Sequence, residues 1–210
     1  MMTLEVFSLI TAIRGTFAER SPAGDRVGRE IRKVLALLER LPPARSGFSM
    51  SNHAVTRHIA AALRAGNAST AGLLDRIASV SYFLPWTYSY PLRADAPALG
   101  QSVAFAEIVG PNAPIASDRV CLGLTLLGPR TLYPSHSHPA IEIYYVAAGT
   151  AVWTLDGAAS ERAPGTFVLH PSHAIHSMET QAEPLLAVYS WSGRDVRTSS
   201  TYTTERRKEL

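Results

Sequence analysis

Five short β-type runs, each closed by turn residues, constrain this chain more than any other feature. They cover residues 119–127, 141–146, 150–155, 166–169 and 185–191. The pairs Gly128-Pro129, Ala148-Gly149, Asp156-Gly157 and Pro164-Gly165 punctuate them. Short strands at such spacing predict an all-β sandwich or barrel.

The first half has a different texture. Val27, Ile31, Val34, Leu35, Leu38 and Leu41 recur at spacings of three and four, which is the stripe of an amphipathic helix stopped by Pro42-Pro43. A second helix is predicted from Ser51-Asn52, which suit an N-cap, to Ala65; a third over 69–78; and a shorter one over 4–13. From residue 81 prolines and the aromatics Tyr82, Phe83, Trp86, Tyr88 and Tyr90 replace the helical periodicity. The expected organisation is a helical region over 1–80, a β-barrel over 81–200, and a polar tail over 201–210.

Composition removes several classes. Cys121 is the one cysteine, so no intrachain disulfide can form, and its setting in Val120-Cys121-Leu122 predicts a buried small hydrophobe. No apolar stretch approaches the ~20 residues of a membrane span, and the N-terminus lacks the basic start and apolar centre of a signal peptide. A cytoplasmic protein is the expectation. A net charge of +3 is a weak excess, and Arg206-Arg207-Lys208 reads as a solvated tail; no helix stands out as a DNA reader.

Chemistry concentrates in Tyr133-Pro134-Ser135-His136-Ser137-His138-Pro139-Ala140-Ile141-Glu142-Ile143-Tyr144. Strand side chains alternate faces, so His136 and His138 share one face of an extended stretch, and Glu142 and Tyr144 share one face of the next. Ile141, Ile143 and Tyr145 point into apolar packing. His176, five residues beyond Pro171, is a fourth candidate. Three imidazoles and a carboxylate suit one divalent transition metal ion (zinc, manganese or iron) and leave positions open for substrate. His170 and His173 do not fit the spacing and read as supporting or structural residues; His53 and His58 read as ordinary.

The spacing His136-x-His138-x3-Glu142-x6-Gly149, with Pro164-Gly165, Pro171 and His176 following, resembles the cupin superfamily. Its opening glycine is not at the usual distance, and Thr180 stands where an asparagine is common. That resemblance implies a double-stranded β-helix, or jelly-roll barrel, carrying the helical region on its N-terminal side. Within the superfamily the chain is similar to the bacterial dimethylsulfoniopropionate (DMSP) lyases of the DddL, DddQ, DddW and DddK group, and most to the DddL type. Tyr144 two residues after Glu142, Tyr133 before the first histidine, Trp191 and the run 184–193 carry this likeness. It implies a carbon–sulfur lyase that releases acrylate and dimethyl sulfide by β-elimination. The metal would bind the substrate carboxylate, with Tyr144 as the base. Tyr133, Trp191, Tyr88, Trp86 and Tyr90 would be candidates for holding the sulfonium through their π faces. A homodimer is a further expectation from the family, and neither nucleic acid nor membrane is an expected partner. The same cage would also serve an iron dioxygenase, an isomerase or a non-catalytic ligand sensor.

Overall fold

The computed structural model describes residues 2–45 and 50–203. The basic run 206–208 lies outside the described residues. Five helices are present among them: α1 (Met2–Arg20), α2 (Arg26–Leu37), α3 (Ile59–Arg64), α4 (Ala71–Val80) and the short α5 (Leu99–Ser102). Helix α1 runs well beyond the predicted 4–13, because Leu9, Ile10, Ile13 and Phe17 extend one buried face. Asp25 caps α2 by accepting from the Gly28 backbone N–H at 2.7 Å. Helix α2 stops at Leu37, short of the predicted end, although Leu38 and Leu41 still pack on the core.

The helix expected from Ser51 to Ala65 is split. The Ser51 hydroxyl donates to the Trp86 carbonyl at 2.8 Å, and its backbone bridges to Pro85, so it is not free to cap. His53 caps instead, accepting from the Val55 N–H, and a 3-10 turn (Ala54–His58) leads into α3.

Eleven strands follow among the described residues: β1 (Val103–Gly110), β2 (Ile115–Ala116), β3 (Val120–Leu127), β4 (Leu132–Ser137), β5 (Ile141–Ala148), β6 (Ala151–Leu155), β7 (Ala158–Arg162), β8 (Phe167–His170), β9 (His176–Thr180), β10 (Leu185–Ser192) and β11 (Thr201–Tyr202). They form a six-stranded sheet in the order β2-β1-β3-β10-β5-β8 and a five-stranded sheet in the order β11-β4-β9-β6-β7. Pairing is antiparallel throughout except between β1 and β2. The five predicted runs correspond to β3, β5, β6, β8 and β10. Thr201 and Tyr202, expected in the tail, pair with Ser137 and His136 of β4.

The larger sheet is buried on both faces. Outward residues such as Leu122, Leu124, Ile143, Tyr145 and Val188 share one core with α1, α2, α3 and α4. Phe17 packs edge-on against Phe167 at 5.4 Å, and Ser192 Oγ of β10 donates to Glu30 Oε1 of α2 at 2.6 Å. Inward residues such as Val103, Leu127, Tyr144, Val146 and Ala187 meet Tyr133, Trp153 and Met178 of the smaller sheet in a second core. This is the jelly-roll sandwich with a helical N-terminal region. Gly149 makes the tight β5–β6 turn at φ +76°, where any side chain would collide with the Pro184 carbonyl.

Candidate metal centre and cavity

Strands β4, β5, β8 and β9 carry His136, Glu142, His170 and His176, and His138 follows directly on β4. His136 of β4 and His176 of β9 are direct cross-strand partners. Glu142 of β5 lies in register between Trp191 of β10 and His170 of β8. His136, His138, Glu142, His170 and His176 are all 2% exposed or less. Unpaired, a buried carboxylate would be very costly, so its partners explain how it is tolerated.

Those partners are specific. Trp191 donates its indole N–H to Glu142 Oε1 at 2.7 Å, and its ring stacks on His138 at 4.3 Å. His170 Nδ1 lies 2.8 Å from Glu142 Oε2. His138 Nε2 stands 3.2 Å from the same oxygen and His176 Nε2 3.3 Å from it.

The opposite ring nitrogens are tied to the backbone. Nδ1 of His136, His138 and His176 lies 2.7, 3.0 and 2.9 Å from the carbonyls of Pro134, Ala140 and Ala174. A carbonyl only accepts, so each Nδ1 carries its proton, and each ring turns its Nε2 into the site. Without protons on those nitrogens, His138 and His176 would set two lone pairs against one carboxylate oxygen, an arrangement that a cation among them relieves. Ligand atoms ~2.1 Å from a common ion are roughly 3.0–3.4 Å from one another, which matches the 3.2 and 3.3 Å separations here. The ligand atoms of His136, His138 and His176 all lie within 4.8 Å of one another, as do those of Glu142, His170 and His176. His176 Nε2 is buried without a hydrogen-bond partner. The donor set and its backbone anchoring suit a divalent metal.

Charge effects follow the packing. Burial would raise the Glu142 carboxyl, but with His138 protonated its charge and hydrogen bond, together with the hydrogen bond from His170, hold it well below the carboxylate range. Burial lowers His136 strongly, and neighbouring His176 adds to that. Burial would lower His138 too, but there the Glu142 charge and hydrogen bond outweigh it and raise it. Burial lowers His170 to about 4.

A cavity of about 280 Å³ opens beside this cluster, lined by His136 and Glu142 together with Tyr90, Phe105, Tyr133, Tyr144, Tyr189 and Trp191. Glu107, Cys121, Val196, Arg197, Ser199 and Ser200 also line it. At ~30 Å³ per water it holds roughly nine water volumes, room for a small molecule. Tyr144 is 2% exposed, with its ring 5.7 Å from that of His170. Burial, and then the Glu142 charge, hold its phenol well above the ordinary value.

The predicted aromatic cluster divides. Tyr82 and Phe83 are exposed. Trp86 belongs to the helical-side core and donates its N–H to the Ser81 carbonyl at 2.7 Å, so it does not reach the cavity. Tyr88 is one step removed, its hydroxyl 2.8 Å from that of Tyr202 and its ring packed on Tyr90. Tyr90 itself lines the cavity. His173 sits exposed at a turn with φ 62°. His170 is the site residue that spacing alone does not reveal. Its signal is period two along β8, which puts it on the inward face with Val168.

Comparison with known proteins places this geometry. The family described as dimethylsulfoniopropionate lyase matches residues 28–187. The DddL protein of Cereibacter sphaeroides, a candidate DMSP lyase, is 34% identical over 171 residues, covering 80% of this chain and 72% of that protein. The DMSP lyase DddQ of Ruegeria pomeroyi is 35% identical over 97 residues, covering 46% of this chain and 48% of that protein. The crystal structure of that DddQ superposes with a TM-score of 0.79 at 24% identity, over 95% of this chain and 96% of that one.

Proposed function

Because the chain belongs to the dimethylsulfoniopropionate lyase family, we propose that it cleaves DMSP to acrylate and dimethyl sulfide by a metal-dependent β-elimination in the barrel cavity. The family makes it a carbon–sulfur lyase acting on a small molecule. The observation that carries the finer reading is the pair of imidazole Nε2 atoms turned onto one buried carboxylate oxygen beside a cavity of small-molecule size.

His136, His138, Glu142 and His176 would hold the ion. A bound divalent cation supplies Lewis acidity toward the substrate carboxylate and a positive charge that favours the phenolate of Tyr144. Tyr144 Oη then takes the proton from the carbon next to that carboxylate. The C–H pair becomes the new C=C bond, the C–S bond breaks, and sulfur leaves with its electrons as neutral dimethyl sulfide. Tyr144 returns its proton to solvent to complete the cycle. Trp191 and His170 fix Glu142 from either side. Tyr133, Trp191 and Tyr90 supply π faces for the sulfonium, each worth ~0.5–2 kcal/mol. Trp86 and Tyr88 take no direct part.

The test is headspace dimethyl sulfide from purified protein and DMSP, with and without a chelator, in air and under nitrogen. Release that chelation abolishes and oxygen does not affect is the expected result. No release by the metal-loaded protein, or release untouched by chelation, would overturn the reading; dependence on oxygen would favour a dioxygenase.

A further inference from the structure

We propose that Glu107 is the counter-charge of the cavity, a specificity-determining residue that selects a permanently cationic head group over its neutral isostere. The inference rests on the DMSP reading and deepens it.

Glu107 lies on the interior face of β1, in step with Val103 and Phe105. The ladder places it opposite Gly123 of β3, Gly123 opposite Tyr189 of β10, and Tyr189 opposite Tyr144 of β5. The proposed base and this second carboxyl therefore share one cross-strand row, three strands apart, and both line the same cavity. The middle of the row is built for an aromatic face. A side chain at Gly123 would run into the Tyr189 ring and the Ala106 carbonyl, so its absence lets that ring lie across β3 toward Glu107. A side chain at Gly110 would likewise run into Glu107 Oε1.

The carboxyl is under-partnered. It accepts from the Asn112 backbone, but Oε1 is buried with no hydrogen-bond partner. Arg197 at the rim is engaged with Asp118 and is exposed. Burial pushes the Glu107 carboxyl up to about 7. Such a group is either protonated or in need of a cation that the protein itself does not provide. A sulfonium has no N–H to donate and cannot lose its charge by deprotonation. Coulomb attraction and π faces are what can hold it, and Glu107 beside Tyr189 and Phe105 offers both.

Two unreactive probes of equal shape isolate the effect: 3-(trimethylammonio)propanoate and 4,4-dimethylpentanoate, titrated calorimetrically into the metal-loaded protein. The native protein is expected to prefer the cation by about tenfold at pH 8. Glu107→Gln should cut that preference at least fivefold, with metal content and affinity for the neutral probe unchanged. Glu107→Asp should keep most of it. In the native protein the preference should weaken at pH 6; the titratable groups beside Glu107 are Cys121 and Tyr189, both held protonated by burial, while Arg197, elsewhere on the cavity wall, is engaged with Asp118. An unchanged preference in Glu107→Gln, or none in the native protein, overturns the inference. Should Glu107→Gln fail to fold, the Asp variant and the pH arm decide it. These measurements do not use dimethyl sulfide, so they fail independently of the lyase assay.

Discussion

Strand β3 shows two regions of the molecule side by side. Its outward residues, Val120, Leu122, Leu124 and Leu126, are aliphatic, fully buried and packed against the helical layer. Its inward residues, Cys121, Gly123, Thr125 and Leu127, differ in size and polarity. Strand β5 repeats the contrast, with Ile143 and Tyr145 outward against Glu142 and Tyr144 inward. One face is filled and the other is shaped. The helices supply apolar partners for the outer face, at ~1.5–3 kcal/mol per large side chain buried. That leaves the inner face free to carry a cavity and orphaned polar atoms such as Glu107 Oε1 and His176 Nε2. Stability and chemistry are thus assigned to opposite sides of the same strands.

Substitutions on the two faces should separate those roles. The largest effect is expected at Tyr144→Phe, which removes the proposed base while the ring still packs on Trp153 and Tyr189. Turnover should fall ~10²–10⁴-fold with metal content intact; full activity in this variant would remove Tyr144 from the mechanism. Next comes Leu124→Ala on the outer face, expected to cost ~2–5 kcal/mol in denaturant unfolding while leaving activity per folded molecule unchanged. A matching loss of kcat would break the division between the faces.

The smallest effect concerns pH. The folded protein raises the Glu107 carboxyl from its ordinary 4.5 to about 7, so the native state binds its proton more tightly than the unfolded chain does. That contribution to stability is lost as pH rises from about 4.5 to 7. Glu107→Gln has no such proton. Its stability relative to the native protein should therefore climb by up to about 3 kcal/mol across that window. A flat difference between the two unfolding curves would show that Glu107 titrates normally.

Legibility in the sequence follows the same two faces. Strands β3, β5 and β10 are buried along almost their whole length, and their largely apolar sequences read as continuous runs. Strand β7, Ala158–Arg162, is an exposed edge with no apolar signal. Strand β4 carries Pro134, which argues against a strand, and β1 follows a stretch rich in proline. The H-x-H and Glu spacing pointed to His136, His138 and Glu142, which lie close together along the chain, and His176, a separate candidate, joins them through the pairing of β9 with β4. His170 was not readable as their neighbour, because its position opposite Glu142 depends on how β8 pairs with β5. Trp86 and Tyr88 failed for a related reason. Aromatic clustering along the chain gives no direction, and the backbone turns Trp86 toward the helices.

Cys121 on the cavity wall has one more consequence. The alkene released by the proposed elimination is an electrophile, and a thiolate beside it would be alkylated over successive turnovers. The Cys121 thiol donates to the Val196 carbonyl at 3.4 Å, and burial pushes its ionisation far above the ordinary thiol range. The sulfur is therefore kept in its unreactive form, and under the proposed elimination the chamber would escape alkylation by its own product.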